Sequence, residues 1–248
     1  GNVYVTGYSY NGTNYDYLTI KYNSNLVFQS SIIFNSEYND YGQGVAVDNS
    51  GNVYVTGFSN NGTDDDYLTI KYDSNLVFQS SVVFNGGYND EGSGITVDNS
   101  NNVYVTGYSF NGTNYRCVTI KYDSNLVFQS SSVFSRGVGY NDYGSDIVAD
   151  NSGNVYVTGW SYSTYPNFDC VTIKYSDNLV FQTSAVFNSG NIDYGQGIAV
   201  DNSGNVYVTG YSYNGTNDDY LIIKYNSNLI FQSSAVFNSG YNDYGQDI

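Results

Sequence analysis

The chain of 248 residues contains no histidine, no methionine, one proline and one tryptophan. Without histidine it lacks the side chain that most often serves as a general acid or base near neutral pH. No apolar run approaches the ~20 residues needed for a membrane-spanning helix, so no membrane insertion is expected. These absences argue against most catalytic and membrane-embedded classes of protein.

Basic residues are also scarce. Seven lysines and arginines face 23 aspartates and glutamates, giving a formal net charge of −16. A field of this sign repels phosphate backbones and anionic lipid surfaces. Nucleic acid is therefore not expected as a partner.

Tyrosine dominates what is present, with 30 copies in a chain that is 40% hydrophobic. Tyrosine, valine, threonine and isoleucine favour strands, and clusters of glycine, asparagine, aspartate and serine mark turns. The composition therefore predicts an all-β protein with no helix.

The chain repeats itself in one domain of five units, at residues 1–50, 51–100, 101–152, 153–203 and 204–248. Units of this length are typical of propellers and solenoids. Each contains four β-like runs, which in the first repeat read NVYVTG, DYLTIKY, NLVFQSSIIF and GVAVD. Four antiparallel strands per unit are typical of a propeller blade.

Turn chemistry separates these runs. In DNSGN, Asp48 is expected to accept backbone N–H groups and Gly51 to take a positive φ, with Asn101 replacing the glycine in the third repeat. Asn-Gly pairs at 11–12, 61–62, 111–112 and 214–215 predict tight hairpins, and they also begin Asn-Gly-Thr glycosylation sequons.

The segments VAVDNSGNVYVTG (45–57) and DYLTIKY (66–72) resemble the SBBP-type β-propeller repeat, a family of mainly bacterial and archaeal extracellular proteins. The resemblance covers every unit. It implies a propeller scaffold located outside the cell or on its surface, rather than a particular reaction.

We therefore predict a five-bladed β-propeller of four-stranded antiparallel blades, with strands around Val45, Ile95, Ile147 and Ile198 lining its axis. The C-terminal segment after Tyr244 is expected to close the ring by pairing with residues 3–7 of the N-terminal blade. Because that closing strand is incomplete, a neighbouring chain could supply it instead, which would produce self-assembly.

The long loops share one face of the predicted disc. An aromatic residue follows each VTG and is a candidate sugar contact; these are Tyr8, Phe58, Tyr108, Trp160 and Tyr211. The alternative role is packing between blades. Trp160 lies in the least regular loop with Pro166, so a function private to one blade would belong there.

A second set recurs in the motif ND(Y/E)G and its variant IDYG: Asp40, Asp90, Asp142, Asp193 and Asp243. These carboxylates could contribute to Ca²⁺ sites, which need six to eight oxygens. The alternative, which we favour, is that each caps its own turn. No other cofactor is expected.

The lysines occupy one repeat position, at Lys21, Lys71, Lys121, Lys174 and Lys224, and are expected to be structural, held near acidic or tyrosine oxygens between blades. Cys117 and Cys170 replace tyrosines in adjacent repeats. They are expected to be free thiols, because sheets stacked ~10 Å apart exceed disulfide reach.

Three functional classes remain. Catalysis is disfavoured, since like groups in like environments do not make an acid and base pair. A multivalent carbohydrate-binding propeller would multiply weak contacts through effective concentration. We favour a third class, a non-catalytic extracellular structural or adhesive module of a larger surface protein or assembly, with protein or glycan partners at a cell surface.

Overall fold

The computed structural model describes residues 1–164 and 167–248, and these contain strands and turns but no helix. Within those ranges there is accordingly no helix long and apolar enough to span a membrane. The strands are, in chain order, β1 (Val3–Tyr10), β2 (Tyr15–Tyr22), β3 (Phe28–Phe34), β4 (Asp40–Val47), β5 (Val53–Asn60), β6 (Asp65–Tyr72), β7 (Phe78–Phe84), β8 (Asp90–Val97), β9 (Val103–Phe110), β10 (Tyr115–Tyr122), β11 (Phe128–Phe134), β12 (Asn141–Ala149), β13 (Val155–Tyr162), β14 (Asp169–Tyr175), β15 (Phe181–Phe187), β16 (Asp193–Val200), β17 (Val206–Tyr213), β18 (Asp218–Tyr225) and β19 (Phe231–Phe237).

Consecutive strands form five antiparallel sheets, which are the five predicted blades. Blade one contains β1, β2 and β3, and each later blade adds an innermost strand to this set. The innermost strands are β4, β8, β12 and β16, and the outer strands are β3, β7, β11, β15 and β19. Since the innermost strands together line one central channel, the predicted propeller architecture is confirmed.

The turns follow the predicted chemistry. The Asp48 carboxylate accepts hydrogen bonds from the backbone N–H groups of Ser50 and Asn52, both at 2.8 Å. Gly51 has a φ of +85°, and Asn101, its counterpart in the next repeat, has a φ of +62°. Asparagine tolerates this left-handed region better than other non-glycine residues, so the substitution preserves the turn.

The core lies between the blades rather than within any one of them. Val53 and Val55 of β5 are fully buried, and Tyr17 of blade one reaches across to donate its hydroxyl hydrogen to the Leu68 carbonyl oxygen at 3.1 Å. Cys117 and Cys170 are buried free thiols in this layer, as expected. Each blade is therefore stabilised mainly by its neighbours, as in other repeat architectures.

Four of the lysines, Lys21, Lys71, Lys121 and Lys174, reach an acceptor in the next blade. Among the described residues no lysine forms an ion pair with a carboxylate, so the acidic part of the expectation was wrong. The ammonium groups of Lys21, Lys71 and Lys174 donate to backbone carbonyl oxygens of the next blade at 2.6–2.7 Å. Lys71 lies over the Tyr54 ring, 5.6 Å from its centroid. A carbonyl and an aromatic face thus replace the carboxylate, because both attract a cation without a second buried charge.

The structure does not show the predicted closure of the ring. Within the described residues, β1 pairs with β2 alone, and residues 243–248, called here the tail, form no ladder with it. The tail lies against blade five, where the Gly245 N–H donates to the Gly210 carbonyl oxygen at 3.1 Å. Leu26 is 69% exposed whereas its counterpart Leu76 is 4% exposed, so blade one stands clear of blade five and leaves an open seam.

Candidate functional site

Every innermost strand contains a β-bulge at the same place. The pairing of β4 with β5 shifts register between Gly42 and Gly44, and β8, β12 and β16 shift at the equivalent positions. A bulged residue has no cross-strand partner, and its side chain is redirected. The bulged residues and their tail counterpart all line the channel: Gln43, Ser93, Ser145, Gln196 and Gln246.

These residues, one from each innermost strand and one from the tail, help to line a cavity of about 540 Å³ at the propeller axis. Asp146 and Asp247 add two carboxylates, and Tyr108, Tyr143 and Trp160 add aromatic surface. Small-molecule sites commonly measure roughly 300–1,000 Å³ and combine apolar surface with a few polar groups. We call this cavity the axial site.

Asp146 breaks the symmetry of the axial site. Its counterparts in the other innermost strands are Gly44, Gly94 and Gly197. Its carboxylate accepts the N–H groups of Ile147 at 2.8 Å and Ile198 at 2.9 Å. Burial nevertheless raises the pKa of Asp146 to about 6, and the charge of Asp247 adds to the rise.

Aromatic side chains form a continuous belt beside the axial site. Each DYG tyrosine contacts the residue after VTG in the preceding blade, as Tyr194 contacts Trp160. Within blade four, Trp160 also stacks on Tyr143, with ring centroids 3.8 Å apart and ring planes 16° apart. The belt contains Tyr108, Tyr143, Trp160, Tyr194, Tyr211 and Tyr244. In blade three, Glu91 replaces the tyrosine and separates this belt from the Tyr41–Phe58 pair.

The five predicted sugar-contact residues therefore occupy unequal environments. Tyr108 and Trp160 line the axial site, whereas Phe58 and Tyr211 pack against tyrosines outside its lining. Tyr8 is 54% exposed, and its ring contacts that of Tyr41 in blade two with centroids 4.8 Å apart. All five residues therefore pack against neighbouring side chains, and two of them, Tyr108 and Trp160, also line the cavity.

The recurring aspartates cap their own turns. The Asp40 carboxylate accepts the Ser36 N–H at 2.8 Å and the Ser36 hydroxyl at 2.9 Å, and Asp193 and Asp243 accept the corresponding N–H groups. Asp90 and Asp142 likewise accept an N–H from the preceding loop. In the part of the chain described, no three acidic or thiol groups come together as a metal site.

The long loops share one face, as predicted. The Tyr15 N–H donates to the Asn39 side-chain oxygen at 3.0 Å, which joins the hairpin loop of blade one to the loop entering blade two. Pro166, which follows Trp160 in the least regular loop, lies outside the described residues.

The sequence prediction missed the bulged residues and Asp146. Two signals were available: the glycines flanking Gln43 in YGQG, and the change from glycine to aspartate at one repeat position.

No curated protein matches the chain. Among solved structures, it is similar to a protein of unknown function from Dyadobacter fermentans, with 8% identity, a TM-score of 0.64 and coverage of 98% of this chain and 82% of that one. The propeller domain of the Pyrococcus furiosus trilobed protease, which has an open velcro topology, gives 7% identity, a TM-score of 0.57 and coverage of 100% of this chain and 71% of that one.

An endo-arabinase from Bacteroides thetaiotaomicron gives 15% identity, a TM-score of 0.51 and coverage of 89% and 88%. These three likenesses show the propeller fold alone. The family model described as SBBP, β-propeller repeat, matches residues 32–63, 85–116, 135–166 and 186–217. Since these segments make up just over half of the sequence, the chain belongs to the SBBP β-propeller repeat family.

Proposed function

We propose that the chain is a non-catalytic adhesive propeller module that binds carbohydrate at the axial site, in an extracellular or cell-surface setting. The observation that carries this proposal is the stacked pair of Trp160 and Tyr143 beside amide and carboxylate groups in one 540 Å³ cavity. An aromatic surface suits the apolar face of a sugar ring, and amides and carboxylates suit its hydroxyl groups. Binding is then asymmetric, in contrast to the five equal contacts suggested by the repeats.

The axial carboxylates favour binding over catalysis. Both oxygens of Asp146 already accept backbone N–H groups, so its carboxylate serves the packing of β12 against β16. A hydrolase would need a second carboxyl group with a different role on the other side of the scissile bond. Asp247 is the available partner, and hydrolysis is therefore the second candidate that the same experiment must examine.

The test is a glycan array followed by calorimetry with the intact chain. The Trp160→Ala variant is expected to weaken binding of the selected glycan roughly tenfold, since an aromatic contact contributes ~0.5–1.5 kcal/mol beyond burial. Phe58→Ala is the matched control, because Phe58 follows VTG as Trp160 does but lies outside the axial lining. Its affinity should stay within about twofold of the unmodified chain.

Equal losses of glycan affinity in Trp160→Ala and Phe58→Ala would contradict an axial site and favour five equivalent sugar contacts, one in each blade. Release of reducing ends from the bound polysaccharide, lost in Asp247→Asn, would replace binding with hydrolysis. Failure of the unmodified chain to bind any glycan would leave a purely structural module. Circular dichroism of each variant verifies folding.

A further inference from the structure

The outer strands present an unusual edge to solvent. Each of β3, β7, β11, β15 and β19 ends its sheet and pairs with one neighbour only among the described residues. One row of backbone N–H and C=O groups on each strand is therefore left without a strand partner. Such edges are templates for pairing with another strand.

The exposed side chains on this rim are apolar. In β7 and the residue before it, Val77, Phe78 and Val83 are 57%, 53% and 54% exposed. The other blades repeat the pattern with Val27, Phe28, Ile33, Val127, Phe128, Val133, Val180, Phe181, Val186, Ile230, Phe231 and Val236, each at least 44% exposed. Groups of exposed apolar residues on a soluble protein commonly mark interaction sites.

Charge is absent from the same segments. Residues 25–36, 75–86, 125–135, 178–189 and 228–239 contain no lysine, arginine, aspartate or glutamate, although the whole chain carries −16. Natural edge strands are usually protected by charges or proline. Here the acidic residues lie elsewhere, so charge repulsion between two copies is weakest where their rims face each other.

The edge is protected over part of its length. A register shift between Lys71 and Tyr72 leaves Gln79 as a bulge, and the Gln79 amide nitrogen donates to the Val77 carbonyl oxygen at 3.1 Å. The regular portion that remains is Ser80 to Phe84, which continues the ladder with β6 without interruption. A partner strand can therefore add over about five residues.

We propose that the outer strands pair edge to edge with the outer strands of a second copy of this chain. The five strands read FQSSIIF, FQSSVVF, FQSSSVF, FQTSAVF and FQSSAVF, so each offers nearly the same edge as its partner. Antiparallel pairing about a twofold axis satisfies both edges at once and covers Val83 and its equivalents. Because every molecule carries five such strands, association continues laterally beyond the dimer as concentration rises.

The test measures self-association of the full chain by sedimentation velocity over a concentration series. A rim variant carries one lysine on each outer strand, at the exposed positions Ile33→Lys, Val83→Lys, Val133→Lys, Val186→Lys and Val236→Lys. The matched control carries Thr13→Lys, Thr63→Lys, Thr113→Lys, Thr164→Lys and Thr216→Lys, which are exposed loop positions in the same five blades. Both variants change the net charge equally.

The unmodified chain and the control should associate, and the rim variant should associate roughly tenfold more weakly or not at all, since lysines facing each other across the new ladder repel. Added salt should strengthen association by screening the acidic faces. Slower hydrogen exchange of residues 80–84 at high concentration provides a second readout on the unmodified chain, should the rim variant fail to fold. The proposal would be overturned if the unmodified chain were monomeric. It would also be overturned if both variants associated equally, because the contact would then lie elsewhere, such as the open edge of β1.

Discussion

Blades one and two contain the same strand in different surroundings. Both β1 and β5 begin VYVTG, yet Val5 is 47% exposed and Val55 is fully buried. The difference arises because Val55 packs in one cluster with Tyr17 of blade one, whereas Val5 belongs to no such cluster among the described residues and β1 has no innermost strand beside it. In a repeat protein, the contribution of identical residues to stability therefore depends on how the neighbouring unit packs against them.

The largest expected difference between blades one and two concerns the glycine of the VTG motif. A Cβ at Gly57 would overlap the Tyr41 carbonyl oxygen and the Tyr17 hydroxyl, whereas a Cβ at Gly7 would meet nothing within 4 Å. Gly57→Ala should therefore lower the free energy of unfolding by about 3 kcal/mol or more, as overpacking does in a core. Gly7→Ala should change it by less than about 0.5 kcal/mol. Urea unfolding of both variants measures the difference.

The same pair reports on the seam in solution. If the tail closed the ring by pairing with β1, a residue of the tail would approach Gly7 as Tyr41 approaches Gly57. Equal destabilisation by the two substitutions would then show that blade one is covered and that the open seam is absent in solution.

A second test compares blade four with its neighbours through Asp146. Burial raises the folded-state pKa of Asp146 from 3.8 to about 6. The folded protein therefore binds the proton more tightly than the unfolded chain, and the stability from this group is complete below about pH 4 and lost as the pH rises through about 6. The loss is up to ~3 kcal/mol, at 1.36 kcal/mol per pKa unit.

Asp146→Asn removes this titration while keeping the side-chain size. The unfolding free energy of the unmodified chain, minus that of the variant, should fall as the pH increases from about 4 to about 7. A difference that stays constant over this range would show that Asp146 has an ordinary pKa and is hydrated.

A third test removes the same methyl groups from β1 and β5. Val55→Ala should cost about 2 kcal/mol, since two buried carbons are lost and a cavity remains. Val5→Ala should cost less than about 0.5 kcal/mol at its exposed site. Thermal unfolding of the two variants, compared with the unmodified chain, checks the contrast, and matching shifts would argue that β1 is covered.

The sequence was sufficient to predict whatever one repeat determines by itself. The turn of Asp48 and Gly51 follows from local hydrogen bonding and φ preferences, and the strands follow from composition and spacing. The axial site could not be predicted in the same way, because Gln43 and Asp146 converge only when separate blades surround one channel. The lysine partner was wrong for a related reason: a backbone carbonyl of the next blade leaves no signature in residue identity.

The smallest expected effect concerns those lysines. The Lys121 ammonium lies 5.4 Å from the Tyr104 ring centroid and 3.4 Å from the Asn178 side-chain oxygen of the next blade, whereas Lys224, 5.3 Å from the Tyr207 ring centroid, has no following blade among the described residues. Lys121→Met and Lys224→Met both lose the ring contact, so their difference isolates the inter-blade hydrogen bond at about 1 kcal/mol. Chemical unfolding should rank Lys121→Met as the less stable variant, and glycan affinity should remain unchanged in both. A loss of glycan binding in a fully folded Lys121→Met protein would instead place this lysine in the binding machinery, and equal stability would show that each blade holds its lysine without help from the next.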